Sequence, residues 1–158
     1  MDILVPEPVA RVKRALAVLG AEDTVTVFDS KVPTAAAAAA TLGCDVAAIT
    51  NSLVFDLEGA PLLILASGGA RVDVLKVGAQ LGAGRIRRAS PGFVLEHTGQ
   101  EVGGVAPVGH PEKIRTLLDE SLKMHDLLWA GAGDHHSMFS ITYEELQRIT
   151  EAQELRVR

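Results

Sequence analysis

Two apolar runs near the middle of the chain constrain its fold more than any other feature. Residues 47–56 and 61–66 are rich in Ile, Val, Leu and Phe, and a Leu-Glu-Gly-Ala link over residues 57–60 joins them. A short link that contains glycine between two strand-like runs is typical of a β-hairpin. The sequence therefore predicts a pair of antiparallel strands in the middle of the chain.

Helical and extended segments follow one another irregularly on both sides of this hairpin. Helical spacing of apolar residues, with a Ser or Thr cap before it or a glycine after it, predicts five helices. They cover residues 6–19, 35–42, 72–81, 91–98 and the segment that begins with the Thr142 and Glu145 capping box. Extended segments are predicted at residues 25–27, 86, 114–118, 127–130 and 137–141. Because strands and helices do not alternate regularly, we expect an α+β fold with a mixed, mainly antiparallel sheet.

The composition limits the class of protein. A chain of 158 residues with 47% hydrophobic residues fits one domain, and a chain of this size buries roughly 68–70% of its unfolded surface. The single cysteine, Cys44, excludes an internal disulfide and a metal knuckle built on cysteines, and it suits a reducing cytosol. No run approaches the roughly 20 apolar residues of a membrane span, and residues 1–6 lack the basic stretch of a targeting signal. We therefore expect a soluble, cytoplasmic protein with no membrane partner.

Positive charge is concentrated in one segment. The whole chain carries a formal net charge of -5, which argues against a surface that attracts nucleic acid everywhere. Residues 71–88 nevertheless hold five basic residues against the single acidic residue Asp73; the basic residues are Arg71, Lys76, Arg85, Arg87 and Arg88. Such a segment either contacts phosphates, as Arg and Lys do irrespective of base sequence, or forms a solvated helix face.

Three glycine groups resemble nucleotide-binding loops. Residues 82–84 and 131–133 each begin a Gly-x-Gly pattern without completing Gly-x-Gly-x-x-Gly, and no Gly-Lys-Ser or Gly-Lys-Thr occurs, so a dinucleotide site is not predicted. The third group is the Gly-Gly-Val-Ala-Pro-Val-Gly segment over residues 103–109. Adjacent glycines let a main chain approach a ligand and present N–H groups, and Pro107 stiffens the far end of the loop. An ordinary turn between a helix and a strand is the alternative.

A histidine pair follows the glycine turn at residues 131–133. In Asp134-His135-His136 the two histidines point to opposite sides if the segment is extended, so at most one of them faces a given site. Substrate binding or proton transfer, metal binding and structural hydrogen bonding stay open as roles for that histidine. The other histidines show no metal-ligand spacing with this pair, so we expect no metal.

No side chain has the sequence context of a covalent nucleophile. Cys44 follows a helix-ending glycine, and nothing near it in sequence supplies a base or an electropositive setting, so we expect it in the core. A Gly-x-Ser-x-Gly elbow does not occur. Ser52, Ser67 and Ser137 are therefore not predicted as serine-hydrolase nucleophiles.

Four segments carry a resemblance to a known family. They are residues 34–55 with the alanine-rich helix, residues 61–82, the Gly-Gly-Val-Ala-Pro-Val-Gly loop, and residues 130–146 with the Asp-His-His sequence. In this order they resemble the YbaK/ProRS-associated domain, the family of free-standing aminoacyl-tRNA deacylases related to the editing insertion of bacterial prolyl-tRNA synthetases. The resemblance runs from about Val25 to Leu146 and leaves the N-terminal helix, within residues 1–24, outside. We expect residues 1–158 to form one editing domain.

The resemblance implies a fold and a reaction. The fold is a single compact α+β domain whose curved mixed sheet surrounds the pocket. The reaction is hydrolysis of the ester that links a wrong amino acid to the 3′-terminal ribose of a tRNA, often tRNA(Pro), by a water molecule and without a metal or cofactor. The implied partners are the 3′ end of a misacylated tRNA and a prolyl-tRNA synthetase, but not DNA.

The resemblance also assigns roles to residues. Backbone amides of the GxxxP loop would hold the aminoacyl carbonyl; the loop residues are Gly103, Gly104, Val105, Ala106 and Pro107. Further substrate contacts are implied for Lys31, Ser67, Asp134 and His136. The basic residues of segment 71–88 would meet the tRNA backbone.

One position departs from the family. Its members usually carry lysine in a Lys-Thr/Ser-Leu-Val pattern near the start of the first hairpin strand, whereas this chain has Asn51 there. Asparagine can hydrogen-bond to a phosphate or a hydroxyl, but it carries no charge. Three explanations stay open: an altered substrate choice in which Asn51 still orients the ribose or phosphate, a charge supplied by Lys31, or a catalytically silent module that binds aminoacyl-tRNA or a synthetase. A small-molecule binder that reuses the pocket is a further alternative.

Overall fold

Helices surround one mixed sheet in the computed structural model, which describes residues 5–69 and 71–158. The expectation about a targeting signal concerns residues 1–6, of which residues 1–4 lie outside the described residues. The helices of this part of the chain are α1 (Glu7–Val18), α2 (Ala35–Leu42), α3 (Val74–Leu81), α4 (Pro91–Thr98) and α5 (Tyr143–Thr150). None of these five is both long and apolar enough to cross a membrane. The strands are β1 (Thr26–Val27), β2 (Ile49–Leu57), β3 (Ala60–Ser67), β4 (Ile86–Arg88), β5 (Arg115–Asp119), β6 (Leu128–Gly131), β7 (Ser137–Ile141) and β8 (Gln153–Leu155). The predicted α+β fold class is confirmed.

The predicted hairpin is the most extensive strand pair of the sheet. β2 and β3 run antiparallel up to the pair Leu57 and Ala60. The turn consists of Glu58 and Gly59, whose φ angles are 51° and 95°, and two positive φ angles are the backbone of a type I′ turn, which matches the twist of the flanking strands. The Gly59 N–H also donates a hydrogen bond to Asp56 Oδ1 over 2.7 Å. Local chemistry therefore fixes the register of this pair.

The sheet is mixed, with a small majority of antiparallel pairs. Its strand order is β1-β7-β6-β2-β3-β5-β8, and β4 pairs with β2 off this path. Four neighbouring pairs are antiparallel and three are parallel, namely β2 with β6, β3 with β5, and β5 with β8. Strand β8 was not predicted, because its three residues show no alternation and it forms only through parallel pairing with β5.

One edge of β2 is shared between two short partners, and this opens a gap in the sheet. β3 covers one edge of β2 along nearly its whole length. On the other edge, β6 pairs with Ile49 and Thr50, and β4 pairs with residues 55–57. Residues 51–54 therefore have an edge that no described strand covers. A gap of this kind exposes backbone groups and side chains at one place in the fold.

Side-chain caps begin four of the helices. Three of them were predicted, and the fourth is Asp73 before α3, which accepts from two backbone N–H groups. Thr34, Ser90 and Thr142 each accept a hydrogen bond from the backbone N–H three residues on. The capping box at Thr142 is only half formed, since the Glu145 carboxylate pairs with Arg148 instead, at 2.6 and 2.8 Å. A charge-assisted pair with guanidinium is stronger than a hydrogen bond to a backbone N–H, so it takes the carboxylate.

Helix α1 packs into the largest buried cluster although it lies outside the resemblance. Val12 and Leu16 are at most 1% exposed and belong to that cluster. The α1 backbone also approaches two glycines closely: a Cβ added at Gly133 would lie 2.8 Å from the Pro8 carbonyl oxygen, and one added at Gly109 would lie 3.1 Å from the backbone of Val12. Helix α1 therefore supports both the 103–109 loop and the glycine turn before Asp134.

Candidate functional site

A cleft of about 1090 Å³ lies at the open edge of β2. Its walls come from residues in six stretches of the chain. The lining residues lie within 32–38, 49–55 of β2, 71–74, 86–94, 102–105 and 131–138, and not every residue of a stretch lines the cleft. The last two stretches place the 103–109 loop next to the turn between β6 and β7. A cleft of this size suits a small molecule or the terminal unit of a polymer.

Asn51 lies at the open edge with its side chain available to a ligand. It pairs with Ala66 of β3 on its covered edge, it is half-buried, and it lines the cleft. Its side-chain amide makes no hydrogen bond with any residue of the described ranges. A donor and an acceptor are therefore both available at this position.

The 103–109 loop presents two unused backbone N–H groups to the cleft. Within the described residues, the Gly104 N–H donates to the Glu101 carbonyl over 2.9 Å, and the Ala106 N–H donates to Gln100 Oε1 over 2.7 Å. The N–H groups of Gly103 and Val105 have no acceptor in the described part of the chain, and both residues line the cleft. They are the donors that a bound carbonyl could reach.

Close packing fixes the position of this loop. A Cβ added at Gly104 would lie 2.9 Å from the Cα and carbonyl carbon of Asp134, which is closer than real Cβ atoms come. A Cβ at Gly131 would lie 3.0 Å from the Val105 carbonyl oxygen. Gly103 has a φ of 89°, a left-handed backbone that favours glycine. The adjacent glycines therefore allow the loop to pack closely against Asp134, and the predicted close approach to a ligand stays a prediction.

A buried glutamine that the sequence did not single out holds the loop from behind. Gln100 is 1% exposed, its Oε1 accepts the hydrogen bond from Ala106, and its Nε2 donates to the Val108 carbonyl over 3.5 Å. The ring of His110 lies 2.8 Å from the Ala106 carbonyl, and burial lowers the pKa of His110 below its ordinary value, which favours a neutral ring that donates to that carbonyl. Gln100 lies between Gly99 and the exposed Glu101, and no feature of the sequence indicates that it is buried.

We expect Gln100→Ala to loosen the loop. The substitution leaves a buried N–H and a buried carbonyl without partners, so the free energy of unfolding should fall by about 1–3 kcal/mol. Denaturant unfolding measures this change. The control is Gln153→Ala, an exposed glutamine of β8 that makes no side-chain hydrogen bond in the described residues, and it should alter stability by under about 0.5 kcal/mol. Equal effects of both substitutions would contradict the role of Gln100.

The structure separates the two histidines and the aspartate. Asp134 lines the cleft, and its Oδ1 accepts a hydrogen bond from the His136 N–H over 2.9 Å. The His135 Nε2 lies 3.0 Å from the Val102 carbonyl, against the loop glycines. His136, to which the resemblance assigned a substrate contact, does not line the cleft, and its carbonyl accepts a hydrogen bond from Phe28.

Several other residues named from the sequence lie behind or beside the cleft. Gly104, Ala106 and Pro107 are buried and support the loop without lining the cleft. Ser67 is also outside the lining, since its hydroxyl donates to the Ala47 carbonyl over 2.7 Å. Lys31 is exposed and does not line the cleft, although Val32 does.

Cys44 is not placed or tuned as a nucleophile. It packs against the small buried cluster formed by α2, Ile49 and Met138. Burial and the neighbouring Asp45 raise the pKa of its thiol above the ordinary value. The thiol is therefore protonated at neutral pH, but Cys44 is half-buried at the side of this cluster and not in the core as expected.

Part of the basic segment reaches the cleft. Arg71 and Arg88 are exposed and line it, whereas Arg85 and Arg87 are exposed outside it. In the described ranges, none of these four arginines has a carboxylate within 4.0 Å. Lys76 points elsewhere, with its Nζ donating to the Arg158 carbonyl over 2.6 Å. Two unpaired guanidinium groups therefore line the cleft.

No metal-binding cluster occurs in the described part of the chain, since no group of three His, Cys, Asp or Glu side chains there is placed to hold a metal ion.

Known proteins that are similar to this chain point to one family. The family model of the aminoacyl-tRNA editing domain matches residues 29–149. Uncharacterized protein YwhH of Bacillus subtilis (strain 168) is 36% identical over 130 residues, which are 82% of each chain. A proline--tRNA ligase of Lysinibacillus sphaericus (strain C3-41) is 32% identical over 75 residues, 48% of this chain and 13% of that enzyme.

A solved structure whose description proposes a trans-editing enzyme for prolyl-tRNA synthetase superimposes with a TM-score of 0.92 at 35% identity, over 98% of this chain and 99% of that one. Fold and comparisons together define a class of protein, a compact α+β domain of the editing type. The chain belongs to the aminoacyl-tRNA editing domain family, and the resemblance seen in the sequence is confirmed.

Proposed function

We propose that this protein is a free-standing deacylase that hydrolyses the ester between an amino acid and the terminal ribose of a misacylated tRNA, of the tRNA(Pro) type. One observation carries the proposal: the unused N–H groups of Gly103 and Val105 line the same cleft as the available amide of Asn51 and the unpaired Arg71 and Arg88. Two amide donors suit a carbonyl, and guanidinium groups suit phosphates. An aminoacylated 3′ end contains both.

The loop amides supply the catalytic effect in this mechanism. A water oxygen adds to the ester carbonyl carbon and the carbonyl oxygen becomes negative. The bond between that carbon and the ribose oxygen then breaks, and the ribose oxygen takes up the proton that the water releases. Donors fixed at the developing oxyanion stabilise it more than they stabilise the ester, and one such donor is worth about 2.7–4 kcal/mol in other enzymes. Gly103 and Val105 are the proposed donors, and no metal is required.

The two ends of the cleft bind different parts of the substrate in this proposal. Asp134, the carboxylate that lines the cleft, attracts the ammonium group of the amino acid. The Asn51 amide hydrogen-bonds to the terminal ribose or its phosphate. The whole chain acts as one editing domain in the cytoplasm, where a prolyl-tRNA synthetase would supply the mischarged tRNA.

Arg71 and Arg88 are expected to bind tRNA phosphates. The double variant Arg71→Gln with Arg88→Gln should bind tRNA more weakly, and the slope of log affinity against log salt should fall by about 2, one unit for each phosphate that is no longer neutralised. Filter binding from low to physiological salt measures both quantities. Arg115→Gln is the matched control, since Arg115 is exposed on β5 away from the cleft, and it should leave the slope unchanged. An unchanged slope in the double variant would remove these arginines from the interface.

A panel assay tests the function. Purified protein is mixed with tRNA charged with alanine, serine or cysteine, and with correctly charged prolyl-tRNA(Pro), and the lifetime of each ester is followed. At least one mismatched ester should be lost faster than in buffer, and EDTA should not slow the loss. The enzyme proposal fails if every ester of a full panel decays at the buffer rate.

A catalytically silent module that binds aminoacyl-tRNA or a synthetase is the second candidate. The observation that favours it is Asn51, an uncharged residue where the family usually carries lysine. Such a module would bind tRNA through the same cleft and leave the ester intact.

A further inference from the structure

Three residues that line the cleft carry a hydroxyl group that has no hydrogen-bond partner among the described residues. These hydroxyls are Thr50 Oγ1, Ser52 Oγ and Ser137 Oγ, and each is buried from solvent. Thr50 and Ser137 are only 2% and 1% exposed. Native proteins pair nearly all such groups, so unpaired hydroxyls that line one cleft point to a partner that comes from a ligand.

The register of the sheet places these hydroxyls on one face. Thr50 lies beside Ala130 of β6, and Ala130 lies opposite Phe139 of β7. Ser52 is two residues from Thr50, and Ser137 is two residues from Phe139. Because paired residues and alternate residues share a face, Thr50, Ser52 and Ser137 belong to the same face of the sheet. We call these three side chains the hydroxyl floor.

The surroundings of the hydroxyl floor are apolar. The same face carries Ala130 and Phe139, which belong to the main buried cluster together with Val105 of the loop. Apolar surroundings make an unpaired hydroxyl costly and make a hydrogen bond from a ligand favourable. The floor therefore selects for a ligand group that is small and uncharged and that can both donate and accept a hydrogen bond.

Asn51 and the hydroxyl floor face different parts of a bound molecule. Asn51 alternates with Thr50 and Ser52 along β2, so its side chain leaves the strand on the other face. With the ribose at Asn51 and the ester carbonyl at the loop, the remaining part of the substrate is the amino acid. Its ammonium group has a carboxylate available in Asp134, which leaves the amino acid side chain for the floor.

We propose that the hydroxyl floor recognises a hydroxyl group on the amino acid to be removed, so that the preferred substrate carries serine or threonine and not alanine. This inference rests on the proposed function. A site built to hydrogen-bond a substrate hydroxyl discriminates against the analogue that lacks it, because its own polar groups then stay unpaired. Alanine lacks only that hydroxyl and is therefore the matched competitor.

Deacylation of seryl-tRNA(Pro) and alanyl-tRNA(Pro) by matched variants tests the inference. The wild type should hydrolyse the seryl ester at least about tenfold faster, and Thr50→Val and Ser137→Ala should each slow the seryl ester about three- to tenfold while changing the alanyl ester by less than about twofold. Ser121→Ala is the control, because Ser121 Oγ is also unpartnered and buried but lies outside the cleft; it should change neither rate. If the variants slowed hydrolysis of both esters equally, the hydroxyl floor would contact a group common to all substrates and the inference would be overturned. Faster hydrolysis of the alanyl ester by the wild type would also overturn it.

A binding measurement separates this inference from the proposed function. The probes are the non-hydrolysable amides 3′-serylamino-3′-deoxyadenosine and 3′-alanylamino-3′-deoxyadenosine, titrated calorimetrically against the wild type and Thr50→Val. The wild type should bind the seryl probe more tightly than the alanyl probe, and Thr50→Val should lose this preference. That result would support recognition of a hydroxyl by the hydroxyl floor even if no ester were hydrolysed. In that case only the proposed deacylase function would fail. Hydrolysis of esters with equal binding of both probes overturns the floor and leaves the proposed function standing. Circular dichroism of each variant confirms that it is folded.

Discussion

Gly104→Ala is expected to lower kcat/KM for a misacylated tRNA by about 100-fold or more. The added Cβ would lie 2.9 Å from the backbone of Asp134, and backbone atoms cannot move aside as a flexible side chain can. The loop must therefore shift, and its N–H donors leave the position where the oxyanion forms. Loss of one such donor costs about 100- to 1000-fold in other enzymes.

Gly92→Ala is the matched control for this prediction. A Cβ at Gly92 meets nothing within 4 Å at the start of α4, and alanine is the better helix former there. Its kcat/KM should stay within about twofold of wild type, since Gly92 is exposed and does not itself line the cleft. Thermal unfolding and tRNA binding of both variants show whether they fold. Full activity in a folded Gly104→Ala would exclude the loop amides from the reaction.

Asn51→Lys is expected to reduce deacylation at least about tenfold. Lysine would add a third cation beside Arg71 and Arg88 and would bring a longer side chain into a cleft lined around an amide. A charge at this half-buried position also has an unfavourable desolvation energy. Single-turnover rates on the preferred ester measure the effect.

The opposite outcome of this substitution would identify the second candidate function. A silent binding module that lacks the usual lysine should gain activity in Asn51→Lys. Lys31→Gln is the control for a charge supplied from elsewhere: Lys31 is exposed and does not line the cleft, so its replacement should leave the rate within about twofold. A large loss in Lys31→Gln would show that this lysine reaches the substrate from outside the cleft.

The parts of the fold that depend on local chemistry could be predicted from the sequence. The hairpin follows from two apolar runs and a turn with glycine, and three helix starts follow from Thr34, Ser90 and Thr142. The Gly103 and Gly104 pair also indicated close backbone approach to a ligand, whereas the close approach in the structure is to the backbone of Asp134. Each of these signals lies within a few residues of the structure that it specifies.

The rest of the site depends on contacts between distant segments. The open edge of β2 exists because β4 and β6 each cover only part of it, and no local pattern reveals the length of a pairing. Gln100 is buried only because the loop folds back over it, and the choice between His135 and His136 depends on how the turn before β7 meets the loop. The unpaired hydroxyls of Thr50 and Ser137 share one face of the sheet because β2 pairs with β6 and β6 pairs with β7. These pairings join segments that lie far apart in the sequence, so no local pattern predicts them.

The most direct measurement is the single-turnover rate constant for loss of the amino acid from misacylated tRNA(Pro), with protein in excess over tRNA. Wild type and Gly104→Ala are measured side by side on the alanyl, seryl and cysteinyl esters. For at least one ester the wild-type rate constant should exceed the buffer rate by about 100-fold or more, unchanged by EDTA, and it should fall toward the buffer rate in Gly104→Ala. Wild-type rate constants equal to the buffer rate for every ester would contradict the deacylase function.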